Sequence, residues 1–121
     1  MSRASYPPEA RLRAYADIRR VLAEGRVFPG REVLVRLRPN ELGRARLGLA
    51  APAKFGNAVA RNRLKRLVRE AFRSLQAELG AVDIFVAPRR GLEVPTLEGI
   101  RKDLQDAPSK AHEAGPRRRR R

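Results

Sequence analysis

Acid–base and metal chemistry need side chains that this chain of 121 residues scarcely holds. It has no Cys, and its one His, His112, stands in a polar stretch near the C-terminus. A thiol nucleophile, a thiolate zinc site, a histidine base or a Ser-His-Asp triad finds nothing to build on. Two-metal nuclease chemistry needs carboxylates converging on one point. The 13 acids are scattered instead, and Asp17, Glu24, Glu70, Glu78, Asp103 and Asp106 fall on expected helix surfaces, as solvated charge. Neither a P-loop nor a GxGxxG fingerprint is present. What the chain does carry is cation: 28 Lys and Arg against 13 acids, a formal charge of +15. Lys54, Lys65, Lys102 and Lys110 are the only lysines, and the remaining cations are Arg, whose forked guanidinium suits phosphate. That balance points to binding a nucleic acid, with no chemistry done by the polypeptide itself.

The cations gather on one segment, Gly56 to Gly80, GNAVARNRLKRLVREAFRSLQAELG. Leu64, Leu67, Val68, Ala71, Phe72, Leu75 and Leu79 recur there at the spacing of one apolar helix stripe. At about 100° per residue, Asn62, Lys65, Arg66, Arg69 and Arg73 fall on nearly the opposite side, with Arg61 and Arg63 flanking. Arg61 leans toward the apolar stripe, where it could cap the core edge instead. Asn57 suits the N-cap and Gly80 the left-handed position past the end. Free N–H groups at Gly56-Asn57 also favour an anion. Six cations against Glu70 and Glu78 leave little i,i+4 pairing, so docking on RNA or DNA outweighs a merely solvated face.

Several elements must position that helix. Met1 to Glu9, with Pro7-Pro8, is expected to be extended. A short helix over Ala14–Glu24 aligns Tyr15, Ile18, Val21 and Leu22 and ends at Gly25. Strands are expected at Glu32–Arg38 and Arg44–Ala51, paired as a hairpin around the turn Pro39–Gly43. Pro52–Gly56 reads as a loop and Val82–Ala87 as a strand stopped by Pro88. A last helix starts near Thr96, buries Leu97, Ile100 and Leu104, and stops before Pro108. Residues 108–121, ending in five arginines, lack periodicity and read as a disordered basic tail behind a single domain over 1–107. Helix, strand, strand, helix, strand, helix predicts an α+β sandwich with one sheet, its helices covering a face. Segments 44–51, 57–79 and 82–87 would form a βαβ unit, right-handed by the general rule. No apolar run approaches the ~18 residues of a membrane span, and no signal-peptide core opens the chain. A cytoplasmic protein is expected.

Leu47 to Phe72, LGLAAPAKFGNAVARNRLKRLVREAF, resembles the signature region of the bacterial ribonuclease P protein subunit. The resemblance rests on Lys54-Phe55-Gly56-Asn57-Ala58-Val59, Arg61-Asn62-Arg63, Leu64-Lys65-Arg66 and Arg69-Glu70-Ala71-Phe72, and extends faintly over about residues 11–105. It implies an α-β sandwich with one mixed sheet of about four strands, related to a ribosomal-protein domain, whose βαβ crossover is left-handed. It implies a subunit of an endoribonuclease that removes the 5′ leader of precursor tRNA. The RNA subunit and its Mg²⁺ ions would supply the chemistry, and no obligate protein partner or membrane is expected. Lys54, Asn57, Arg61, Asn62, Arg63, Lys65, Arg66, Arg69 and Arg73 would then lie near phosphates of the RNA subunit. A cleft between the first helix and the sheet would hold the leader, where the family commonly places aromatic rings. Here the matching positions are Ile18, Leu22 and Arg36, so stacking would move to Tyr15 or Phe85, or pass to the guanidinium plane of Arg36. Two other readings compete. A structural ribosomal protein that binds rRNA would share the charge and tail but not the Lys54-to-Phe72 motif. A DNA-binding helix-turn-helix needs two adjoining helices, whereas strands are expected on both sides of the basic helix.

Overall fold

Asn57 opens the basic helix by accepting the Ala60 N–H on its side-chain oxygen at 2.9 Å. The helix then runs over Ala58–Leu79 and stops at Gly80, whose φ of 77° is the left-handed conformation glycine tolerates. In the computed structural model, which describes residues 8–92 and 94–113, it is the second of three α-helices. The elements are α1 (Tyr15–Glu24), β1 (Arg26–Pro29), β2 (Val33–Pro39), β3 (Arg46–Leu49), α2 (Ala58–Leu79), β4 (Val82–Pro88), α3 (Leu97–Lys110) and β5 (His112–Glu113). Short 3₁₀ turns occupy Pro8–Ala10 and Ala53–Phe55. The expected extended N-terminus is thus corrected at Pro8–Ala10, while residues 1–7 lie outside the described residues.

The described strands form one mixed sheet in the order β3-β4-β2-β1-β5, five strands where about four were expected. β3 and β4 are parallel, joined by α2 as the βαβ pattern predicted; the other pairs are antiparallel. The expected hairpin between β2 and β3 does not form, because β4 lies between them. Val82, Asp83, Ile84 and Val86 are all buried, so β4 sits where both edges find partners. β2 pairs along it from Val33↔Pro88 to Pro39↔Val82, and β3 from Arg46↔Asp83 to Leu49↔Val86. β1 and β5, four and two residues long, were not expected at all.

One face of the sheet carries the core. Val33, Val35 and Leu37 of β2, Leu47 of β3 and Ile84 and Val86 of β4 pack with Leu64, Val68, Ala71, Phe72 and Leu75 of α2. Ile100, Leu104 and Ala107 of α3 complete that cluster. Burying each large side chain contributes about 1.5–3 kcal/mol, so this stripe fixes the face α2 presents inward. The other face carries α1, whose single buried residue is Val21.

Two expectations about α3 are corrected. The helix does not stop before Pro108 but continues to Lys110. Arg26 donates to the Ala111 and Pro108 carbonyls at 3.1 and 3.4 Å, and β5 pairs with β1, so residues 108–113 are held rather than structureless. The tail beyond Glu113 lies outside the described residues. Asp103 is not a solvated surface acid either; it is 2% exposed. Its carboxylate accepts the backbone N–H groups of Arg31, Glu32 and Val33 at 2.9, 2.8 and 3.0 Å. The turn between β1 and β2 points three amides inward, and buried amides require acceptors. Gly30 is required beside it, since a Cβ there would sit 2.3 Å from the Asp103 carboxyl carbon.

Candidate nucleic-acid interface

The apolar stripe of α2 turns its cations outward. Asn62, Arg63 and Arg66 are exposed, and Lys65, Arg69 and Arg73 half-buried, while Lys54 is exposed on the turn leading into the helix. These residues form a ridge along one side of α2. Gln76, on the same side, donates to the Ala45 carbonyl at 3.3 Å and ties that flank to the chain entering β3. Asn57 is exposed but its side-chain oxygen is spent on capping. Arg61 takes the core-edge position that its azimuth left open: it is half-buried, and its Nε is sealed from solvent without a hydrogen-bond partner among the described residues. At the far end of α2, a cavity of about 380 Å³ lined by Arg73, Gln76, Gly43 and Arg44 carries the positive surface onto the β2–β3 turn. Arg44 was not singled out as an RNA contact.

The second surface lies on the opposite face of the sheet. Directly opposed residues on paired strands point the same way, so the register Gly48↔Phe85↔Arg36↔Val27↔His112 is one row of side chains across all five strands. Arg36 and Phe85, both expected in the cleft, are therefore neighbours. Phe85 lies over Gly48, where an added Cβ would stand 3.1 Å from the ring. Among the described residues, Arg36 has no hydrogen bond or ion pair, which leaves its fork available. On α1, Ile18 and Leu22 are half-buried, and Tyr15 is 74% exposed with the Arg19 guanidinium 5.5 Å from its ring centre. The register thus sets Arg36 and Phe85 side by side on the sheet, while Ile18 and Leu22 are half-buried on α1 and Tyr15 stays exposed. His112, assigned from sequence to a structureless tail, ends the same row; no local signal marks a two-residue edge strand.

Polar contacts dock α1 over this face. Arg46 donates from Nε and Nη2 to the two oxygens of Asp83, each at 2.8 Å, and from Nη2 to Asp17 of α1 at 3.3 Å. Asp83 is 4% exposed and also accepts from the Asn40 side chain at 2.8 Å. The hydrogen bond to Asp83 holds the Arg46 guanidinium above its ordinary pKa, against the cost of burial. At the other end of α1, Arg38 donates to Glu24 at 3.2 Å. Among the described residues, no group of three or more His, Cys, Asp or Glu is placed to hold a metal ion, and no helix is long and apolar enough to cross a membrane.

A cationic helix on one side of a mixed sheet, and a row holding Arg36 and Phe85 on the other, define a small, strongly basic α+β protein. Comparison with known proteins narrows the class. The ribonuclease P family model matches residues 6–112. The ribonuclease P protein component of Chromohalobacter salexigens is 44% identical over 95 residues, covering 77% of this chain and 74% of that protein. That of Acinetobacter baylyi is 37% identical over 110 residues, covering 88% and 83%. The RNase P protein of Thermotoga maritima in complex with 1-(4-fluorophenyl)-2-thiourea superposes with a TM-score of 0.73 at 34% identity, over 83% of this chain and 98% of that one. A Staphylococcus aureus RNase P protein mutant with defective mRNA degradation activity gives 0.74 at 30% identity, over 85% and 90%. This chain belongs to the family of bacterial ribonuclease P protein subunits. The ribosomal-protein alternative is not favoured by these matches, and the helix-turn-helix alternative fails because β3 and β4 adjoin α2.

Proposed function

We propose that this subunit works as a two-sided RNA clamp. Its α2 ridge docks on the catalytic RNA of ribonuclease P, and its α1–sheet groove holds the 5′ leader of precursor tRNA. The observation that carries this reading is the segregation of the two surfaces: α2, which bears the ridge, packs on the core face of the sheet, and Arg36 and Phe85 lie side by side on the other face. Phosphates of the RNA subunit are neutralised by Lys54, Arg63, Lys65, Arg66, Arg69 and Arg73, with release of counterions. In the groove, the Phe85 ring offers a stacking face, and Arg36 can lie flat on a base or fork onto a phosphate. Neither contact reads sequence, which suits a leader that differs among precursors. Phosphodiester hydrolysis is assigned to the RNA subunit and its Mg²⁺, since this chain supplies positive charge and, among its described residues, no group of acids placed to hold a metal ion. A cytoplasmic setting and independence from an obligate protein partner go with the same reading. The test is the affinity of precursor and mature tRNA for the RNA subunit with and without this protein. The protein should tighten precursor binding well beyond mature; equal tightening of both would refute the leader role.

A further inference from the structure

Helix α1 rests on the sheet through a pivot and two struts. Only Val21 is buried among its ten residues, and Ala14 at its N-cap makes no side-chain capping bond. A helix this short is marginal alone, and one buried side chain fixes its distance from the sheet better than its roll. With Val21 pointing at the sheet, 3.6 residues per turn puts Asp17 and Glu24 about 40° and 60° to one side. Ile18, Leu22 and Tyr15 then fall about 60°, 100° and 120° to the other side, which flanks the groove.

The carboxylates on the first side are the ones tied down. Asp17 meets Arg46 of β3 at 3.3 Å and Glu24 meets Arg38 of β2 at 3.2 Å, one at each end of the helix. Arg46 is itself immobilised by its two bonds to Asp83, so Asp17 is held by a fixed partner, although Arg20 also reaches it at 3.0 Å. We infer that Asp17 and Glu24 are positioning residues, whose ion pairs to Arg46 and Arg38 set the roll of α1 about Val21 and so the height of the Ile18–Leu22 flank over Arg36 and Phe85. The pairs have a second effect. Of the three strand arginines on this face, Arg38 and Arg46 are neutralised and Arg36 is left as the cation for the leader. The inference rests on the leader-binding reading proposed above.

The double variant Asp17→Asn with Glu24→Gln removes both struts without changing side-chain shape, and it leaves the Arg46–Asp83 pair intact. The holoenzyme, reconstituted from the full chain and the RNA subunit, should show a KM for precursor tRNA raised about 3–10-fold, the scale of two partly exposed ion pairs. The kcat should stay within about twofold, and affinity for mature tRNA and for the RNA subunit should not fall. The direction is diagnostic. Removing two negative charges from a cationic protein strengthens general attraction to RNA, so weaker precursor binding arises from geometry. Asp17→Glu, which keeps the charge, should remain close to wild type where Asp17→Asn alone loses affinity. An unchanged precursor KM, equal weakening of precursor and mature tRNA, or an Asp17→Glu variant as poor as Asp17→Asn would each overturn the positioning role. A wild-type holoenzyme that does not distinguish precursor from mature tRNA would instead overturn the leader reading beneath it.

Discussion

Replacing Asp103 by Asn exchanges one carboxylate oxygen for an NH₂ group at a site with no room to turn away. The carboxylate is enclosed, with Gly30 against it, and both oxygens are engaged: Oδ1 by the Arg31 amide, Oδ2 by those of Glu32 and Val33. In the variant, whichever way the amide turns, its NH₂ confronts one or two backbone N–H groups, and the charge assistance of the remaining bond is lost. A buried donor left without an acceptor costs about 1–3 kcal/mol, and hydrogen bonds to a charged group contribute about 1.5–3 kcal/mol. A net loss of about 2–4 kcal/mol follows from these magnitudes. That is a large share of the 5–15 kcal/mol typical of a domain, and each 1 kcal/mol moves Tm by about 4 °C at this size. Urea unfolding followed by circular dichroism measures the loss as a shift of midpoint at constant slope. A change below about 1 kcal/mol would show that the β1–β2 turn does not depend on Asp103 for its acceptors.

Other predictions concern the two surfaces. Arg63→Ala with Arg66→Ala, both exposed, should weaken binding to the RNA subunit and lower the slope of log K against log salt by up to about two contacts' worth, at 0.7–0.9 each; an unchanged slope in a salt titration would move the docking surface off this ridge. Arg36→Ala should cost precursor tRNA about 1–3 kcal/mol relative to mature tRNA if a stacked base is lost, and Arg36→Tyr should retain the preference; paired affinity measurements on the holoenzyme decide, and an unaltered precursor-to-mature ratio in Arg36→Ala refutes the assignment. Arg61→Met removes a sealed N–H without a partner, so stability should hold or rise by up to about 1 kcal/mol; a clear fall in the unfolding midpoint would mean that Nε is satisfied after all.

Much of this architecture is written locally. The limits of α2 are set by Asn57, the stripe from Leu64 to Leu79 and Gly80, all within one segment, and the structure keeps each of them. Thr96 starts α3 in the same way, its hydroxyl accepting the Gly99 N–H at 3.0 Å. Strand partnership is not local. Nothing within residues 32–51 says that β4 will come between β2 and β3; that follows from the apolar β4 seeking two partners. The short β1 and β5 owe their existence to neighbours rather than to their own pattern. Asp103 did leave a trace: Ile100, Asp103, Leu104 and Ala107 are the buried residues of α3, so the acid stands at the i+3 position of the apolar stripe itself. An acid in such a stripe signals a buried anchor rather than a solvated charge. The sequence offers Arg36 and Phe85 one at a time, and only the cross-strand register shows them to be neighbours.

On the function proposed above, this polypeptide binds and positions while RNA does the cutting. Cleavage of one precursor tRNA at low Mg²⁺, by the RNA subunit alone, by RNA-free protein alone and by the two together, tests it most directly. Either component alone should give negligible cleavage, and the pair should release the intact 5′ leader. Cleavage by the protein after rigorous removal of RNA, or no gain on adding it to the RNA subunit, would contradict it.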